Sequence, residues 1–132
     1  MRIAVDVMGG DHGPAEVVAG ACKALEENSA ITQVLLVGQP ATIKSALRPH
    51  AETDRLRIVP AADVLTMEDK PVEALRHKKD PSIARAVALL NGGEAAALVS
   101  PGHTRGIVPA ATPGLRTIDS IHRPALPAVI PP

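Results

Sequence analysis

Short apolar runs alternate with amphipathic segments along the first half of the sequence. Residues 2–7, 31–37 and 56–59 are nearly continuous apolar runs, as expected for strands that are buried on both faces of a parallel sheet. Helices are predicted between them, from Pro14 to near Asn28 and from Pro40 to Leu47. This β-α-β-α-β order predicts an α/β domain with a parallel sheet.

The same alternation continues once more after a polar middle section. A short helix is compatible with residues 71–78, and Asp80-Pro81-Ser82 predicts a second helix start, with Asp80 as N-cap and Pro81 in the first helical position. Asn91-Gly92-Gly93 predicts the end of that helix. Residues 95–99 then form the fourth predicted strand.

The sequence after residue 104 loses this regular pattern. A helix is expected after a parallel strand, but Pro109, Pro113 and Gly114 interrupt the segment, and an interior proline costs a helix about 3 kcal/mol. Residues 125–130 are compatible with one further strand, although prolines bracket them. We therefore predict a single α/β domain over residues 1–132, in which residues 105–132 are degraded or irregular.

The composition excludes several classes of protein. The chain has no Phe, Tyr or Trp, so its core must be aliphatic, and its 14 basic and 14 acidic residues cancel, which argues against a nucleic-acid binder. The lone Cys22 fits a reducing compartment and lies on an apolar helix stripe, where a core role is expected. No apolar run approaches the ~20 residues that span a bilayer. A cytoplasmic protein is the expectation.

The first loop, residues 8–14, joins a predicted strand to a predicted helix. Glycines there allow the backbone N–H groups of Gly9 and Gly10 to approach an anion at the helix N-terminus. Asp6 and Asp11 would repel phosphate, and they suit orienting a hydrogen bond, general acid-base chemistry or pairing with a cation. The alternative is a structural turn in which Asp11 bonds local backbone.

A second loop, residues 100–104, follows the fourth predicted strand. In a parallel sheet it emerges at the same edge as the first loop, and Ser100, Gly102, His103 and Thr104 are suited to bind a phosphate or polarise a carbonyl. The alternative is a plain connecting loop. The first loop does not have the spacing of a dinucleotide or nucleoside-triphosphate motif.

A basic run and the scattered histidines complete the candidates. Residues 76–79, which include Arg76 and Lys79, are suited to a phosphate or an acidic partner, although such a run is also typical of a solvated face. The five histidines show no metal-ligand spacing; His12 and His103 alone are expected to converge. No metal site is predicted.

Three stretches together resemble the PlsX family of phosphate acyltransferases. They are Asp6-Val-Met-Gly-Gly-Asp11 followed by His12-Gly13-Pro14, Pro71-Val-Glu-Ala-Leu-Arg76 with Lys78, Lys79 and Ser82, and Arg123-Pro-Ala-Leu126 after the loop at residues 100–104. Their order and spacing also match that family, and the likeness covers essentially the whole chain as an N-terminal portion.

The resemblance implies an acyltransferase that forms acyl-phosphate from acyl-acyl-carrier-protein and orthophosphate, early in bacterial phospholipid synthesis. It also implies a Rossmann-like three-layer fold with a mostly parallel sheet, no organic cofactor, a homodimer, and a cytoplasmic location at the membrane surface. Asp11 and His12 would then be catalytic and handle a proton. The remaining site residues would bind substrate; they are Asp6, Gly9, Gly10, Arg76, Lys79, Ser82, Ser100, Gly102, His103 and Thr104.

The chain also departs from the family pattern. The family loop usually reads Ser-Ala-Gly-Asn-Thr-Gly, whereas this chain has Pro101, His103 and Arg105 at the second, fourth and sixth positions. The chain is also less than half the usual family length. Two alternatives therefore stand beside the enzyme: a non-catalytic α/β fragment that binds a ligand or the carrier protein, and an inactive truncated remnant.

Overall fold

The computed structural model describes residues 1–50, 53–62, 81–128 and 130 of the chain. Strands and helices alternate along these residues, as the apolar pattern predicts. The strands are β1 (Arg2–Asp6), β2 (Gln33–Gly38), β3 (Leu56–Pro60) and β4 (Ala97–Val99), and the helices are α1 (Pro14–Glu27), α2 (Pro40–Leu47), α3 (Ser82–Asn91) and α4 (Thr104–Leu115).

The strands form one parallel sheet in the order β3-β2-β1-β4. In its register Ala4 of β1 lies opposite Leu35 of β2 and Leu98 of β4. The carboxyl ends of β1 and β4 are therefore neighbours, and the loops that follow them leave the sheet at one edge. The predicted α/β architecture with a parallel sheet is confirmed.

Aliphatic side chains cover both faces of this sheet. One core cluster joins Val5 and Leu36 to Val18 of α1 and Ile43 of α2, and the other joins Leu35 to α3 residues such as Leu89. The consecutive residues Leu35 and Leu36 are both 0% exposed and point to opposite faces, so β2 is buried on both sides. The fold thus has three layers, with α1 and α2 on one face and α3 on the other.

Helix α1 has the amphipathic pattern that the sequence predicts. Pro14 is its first residue, and its buried residues include Val18, Cys22 and Leu25. Burial raises the pKa of the Cys22 thiol, and the negative charge of Glu26 raises it further. The thiol is therefore protonated and packed into the core, which agrees with the structural role expected for it.

Helix α3 begins one residue later than predicted. Pro81 is the N-cap in an extended conformation, with ψ 141°, and its carbonyl accepts a hydrogen bond from Arg85 N at 3.1 Å. The prediction of Pro81 as the first helical residue is therefore wrong, because Ser82 takes that place. The predicted cap Asp80 and the predicted helix at residues 71–78 lie outside the described residues.

Helix α4 contradicts the prediction that Pro109 and Pro113 interrupt the helix expected after β4. Residues Thr104–Leu115 are helical through both prolines. The Thr112 hydroxyl donates to the carbonyl of Val108 at 2.7 Å, so a side chain bonds the backbone within this proline-containing stretch. The helix also packs closely on α3, since a Cβ atom on Gly114 would lie 2.6 Å from Val87 Cγ1. Tertiary packing therefore offsets the local proline penalty.

The chain after α4 is irregular in the described residues. The further strand with which residues 125–130 are compatible is not formed by the described residues, because residues 125–128 and 130 join no sheet. The prolines there have no N–H to donate to a ladder. Several apolar side chains are consequently exposed, including Ile118 and Leu126. Within the described ranges, no helix has both the length and the apolar character required to cross a membrane.

Candidate active site

Two loops meet at the carboxyl edge of the sheet. In the structure the first loop is bounded by β1 and α1 and spans residues 7–13, and the second loop spans residues 100–103 after β4, the strand paired with β1. A Cβ atom on Gly9 would lie 2.9 Å from both the Cα and the N atom of Gly102. The two backbones are thus in direct contact, and this contact requires glycine at position 9.

The neighbouring glycine makes a similar contact. Gly10 has φ +90°, which L-residues rarely adopt, and a Cβ atom there would lie 3.0 Å from Pro101 Cβ. Pro101, one of the departures from the family loop, therefore packs directly against the first loop. The predicted convergence of the two loops is present in the structure.

Asp6 lies beneath both loops at the end of β1. The residue is 3% exposed, and its Oδ1 accepts hydrogen bonds from the Ser82 hydroxyl at 2.7 Å and from Met8 N at 3.2 Å. Its Oδ2 accepts a hydrogen bond from the Ser100 hydroxyl at 2.8 Å. One carboxylate therefore joins the first loop, the second loop and the start of α3.

The network continues from Ser100 into the second loop. Ser100 Oγ accepts a hydrogen bond from Gly102 N at 3.1 Å while it donates its proton to Asp6. A serine hydroxyl carries one proton. The hydroxyl protons of Ser82 and Ser100 are therefore both directed to Asp6. Among the described residues, no buried side-chain nitrogen or oxygen lacks a partner.

The two residues predicted to be catalytic are on the surface of the first loop. Asp11 and His12 are exposed, and their side chains make no hydrogen bond within the described part of the chain. The local backbone bond that the turn alternative assigned to Asp11 is made instead by Asp6, which bonds Met8 N. Asp11 and His12 are therefore accessible from solvent.

The start of α4 forms the other side of the site. His103 is the N-cap of this helix, and its Nδ1 accepts a hydrogen bond from Arg105 N at 3.0 Å. In the neutral imidazole the proton then lies on Nε2. Thr104 is the first helical residue and is exposed, at the end where the helix dipole favours negative charge.

Some predicted site residues are not tested by this geometry. Arg76 and Lys79 lie outside the described residues, so the cationic part of the predicted site stays a prediction. Within the described residues, no group of three His, Cys, Asp or Glu side chains has the arrangement of a metal site.

The sequence did not indicate the contact between Gly9 and Gly102 or the depth at which Asp6 is buried. The available signal was a glycine in each of two loops that follow neighbouring strands. Glycine is the residue that permits two backbones to approach closely. The orientation of the Asp6 carboxylate had no local signal, because its partners Ser82 and Ser100 are 76 and 94 residues away.

Comparison with known sequences gives a family and a set of relatives. Residues 1–132 match the model of a family described as "Fatty acid synthesis protein". The chain is 47% identical over 131 residues to the phosphate acyltransferase of Desulfitobacterium hafniense (strain DSM 10664 / DCB-2) and 46% identical over 133 residues to that of Heliobacterium modesticaldum. It is 42% identical over 131 residues to the phosphate acyltransferase of Nostoc sp. (strain PCC 7120).

These matches cover the chain and a minor part of each relative. They include 99% of this chain but 39%, 39% and 38% of the three relatives in turn. The chain therefore spans about two fifths of the length of the curated relatives that it matches.

Proposed function

This chain belongs to the family described as "Fatty acid synthesis protein", the PlsX family expected from its motifs, and we propose that it forms the phosphate-binding wall of a phosphate acyltransferase site. The proposed reaction converts acyl-acyl-carrier-protein and orthophosphate to acyl-phosphate, within fatty acid and phospholipid synthesis. The observation that carries this proposal is the contact between Gly9 and Gly102 at the carboxyl edge of adjoining strands.

The chemistry requires an anion site beside a thioester. An oxygen of orthophosphate attacks the thioester carbonyl, a C–O bond forms, the C–S bond breaks, and the carrier thiolate leaves and takes up a proton. The protein must therefore hold one anion and stabilise the oxyanion that develops on the carbonyl. Backbone N–H groups and a helix N-terminus serve both needs without a cofactor.

The first loop and α4 offer such groups. The amide N–H groups of Gly9, which is buried, and of Gly10, which is exposed, donate to no acceptor within the described residues, and we assign both to phosphate binding. Thr104 adds a hydroxyl at the N-terminal end of α4, directly after the second loop. Asp11 and His12 are exposed on the first loop, and the proposal assigns to them the exchange of a proton with the leaving thiolate or with phosphate.

The remaining predicted partners belong to the same proposal. Arg76 and Lys79 would neutralise charge on phosphate or on the carrier protein. Assembly as a homodimer, a cytoplasmic location and attachment to the membrane surface are implied by the family resemblance and stay predictions. A non-catalytic binding fragment and an inactive remnant are the outcomes that the tests must separate from an enzyme.

Titration with inorganic phosphate tests the anion site in this chain. We expect saturable changes in the amide resonances of Gly9, Gly10 and Thr104, because their N–H groups would bond the phosphate oxygens. The amide of Leu35, in the buried centre of the sheet, is expected to stay unchanged. The measurement is two-dimensional ¹⁵N–¹H NMR on the folded chain.

Potassium chloride at equal ionic strength is the control, because it reproduces the screening without the phosphate oxygens. A response to phosphate that is matched by chloride, or spread over exposed basic side chains, would contradict the proposed site.

A further inference from the structure

We infer that Asp6 is a positioning residue, whose buried carboxylate holds the first loop, the second loop and the start of α3 together so that both loops face one ligand. Three donors converge on it, from the Ser82 hydroxyl, the Ser100 hydroxyl and Met8 N. Its function as a support for an anion site rests on the proposed phosphate site. That Asp6 holds the two loops and the start of α3 together does not depend on the phosphate site.

Burial and hydrogen bonding together indicate this role. A carboxylate that is 3% exposed is costly unless it is well bonded, and Asp6 meets that cost with three hydrogen bonds at 2.7–3.2 Å. Hydrogen bonds to an ionised group are stronger than neutral ones. Each of its two oxygens accepts at least one hydrogen bond, so Asp6 is bonded on both sides before any ligand arrives.

Direct contact between Asp6 and phosphate is disfavoured on the same grounds. A phosphate oxygen beside Asp6 would place two anionic groups together in a buried position, where repulsion is strong. Asp6 therefore acts through the loops that it holds, and the candidate ligand contacts are the backbone N–H groups above it.

Ser100 transmits the position of Asp6 to the second loop. Its hydroxyl donates to Asp6 Oδ2 at 2.8 Å and accepts from Gly102 N at 3.1 Å. Gly102 is the residue in backbone contact with Gly9. The chain of contacts from Asp6 through Ser100 to Gly102 thus sets the separation between the two loops.

Amide hydrogen exchange measured by NMR on the full chain tests this inference. Ser100→Ala removes both the donor to Asp6 and the acceptor of Gly102 N, and we expect exchange of the Gly102 amide to become faster by roughly 2- to 12-fold, the range that corresponds to losing its hydrogen bond to a neutral hydroxyl. Asp6→Asn is expected to accelerate exchange at Gly102 and at Met8. The amide of Leu35, in the sheet, is expected to keep its protection in Ser100→Ala.

Matched variants separate the loss of the loop position from a general loss of stability. Ser100→Thr keeps the hydroxyl and is expected to retain slow exchange at Gly102, whereas Ser45→Ala and Asp54→Asn change exposed residues of the same types and are expected to leave exchange unchanged. If Asp6→Asn does not fold, the pair Ser100→Ala and Ser100→Thr decides the question.

Unchanged exchange at Gly102 in folded Ser100→Ala would overturn the inference, and so would equal acceleration in Ser100→Thr. Phosphate titration of the same variants adds the functional readout, with affinity expected to fall in Ser100→Ala and to return in Ser100→Thr. If the unmutated chain binds no phosphate, the proposed function fails, and the exchange measurements still decide whether Asp6 holds the loops.

Discussion

Replacing Leu36 by alanine is expected to lower the free energy of unfolding by about 2–5 kcal/mol. Leu36 is 0% exposed and packs in the cluster that contains Val18, Cys22 and Ile43. Alanine would leave a cavity there, and the chain has no aromatic side chain that can turn in to fill it. Chemical denaturation followed by far-ultraviolet circular dichroism measures the loss.

Leu126→Ala is the matched control for this substitution. Leu126 is 65% exposed on the irregular segment after α4, so its truncation is expected to change stability by no more than about 0.5 kcal/mol. Leu35→Ala, on the opposite face of β2, is expected to cost as much as Leu36→Ala. Equal small effects for Leu36→Ala and Leu126→Ala would show that the helices do not cover the sheet as described.

The same experiment addresses the remnant alternative. An incomplete sheet that exposes apolar faces is expected to unfold without cooperativity. The buried clusters on both faces of β2 predict a single cooperative transition instead. A broad, non-cooperative transition in the unmutated chain would favour the remnant.

Replacing Gly9 by alanine is expected to separate the two loops and to weaken phosphate binding by at least about tenfold, a change of ~1.4 kcal/mol. The added methyl group would lie 2.9 Å from backbone atoms of Gly102, and backbone atoms cannot rotate away as a side chain can. Overpacking of this kind also costs about 1–3 kcal/mol of stability. Phosphate titration and chemical denaturation measure the two effects.

Gly20→Ala is the control for Gly9→Ala. Gly20 lies within α1, and a Cβ atom there would have no neighbour within 4 Å. Alanine at this position is expected to stabilise the chain by roughly 0.5–1 kcal/mol, because glycine is a poor helix residue. Phosphate affinity is expected to stay unchanged. If Gly9→Ala behaved like Gly20→Ala, the backbone contact between Gly9 and Gly102 would not contribute to phosphate binding.

Local sequence patterns predicted the strands and helices well because buried apolar runs and amphipathic segments are themselves local signals. The apolar runs defined β1 to β3, and the strand order then placed the loops after β1 and β4 at one edge. Helix α4 was not predictable in this way. The penalty of Pro109 and Pro113 is visible in the sequence, whereas the packing of Gly114 on Val87 exists only in the folded chain.

The position of the site was predictable from the sequence, whereas the hydrogen-bond partners of its residues were not. The sequence placed Asp6, Gly9 and Gly102 at one edge of the sheet, and the structure agrees. It did not reveal that the hydroxyls of Ser82 and Ser100 turn inward to Asp6. Such bonds join residues far apart in the chain, and no local periodicity encodes them.

The role that we propose for this chain is to supply the phosphate-binding part of a phosphate acyltransferase site. The sharpest test of this role is a chimera in which residues 1–132 replace the matching segment of the Desulfitobacterium hafniense phosphate acyltransferase. The chain is 47% identical to that enzyme over 131 residues. The measurement is acyl-phosphate formation from acyl-acyl-carrier-protein and orthophosphate. We predict that the chimera forms acyl-phosphate and that Gly9→Ala in the chimera abolishes most of this activity. A folded chimera that forms no acyl-phosphate, beside an active parent enzyme, would contradict the claim.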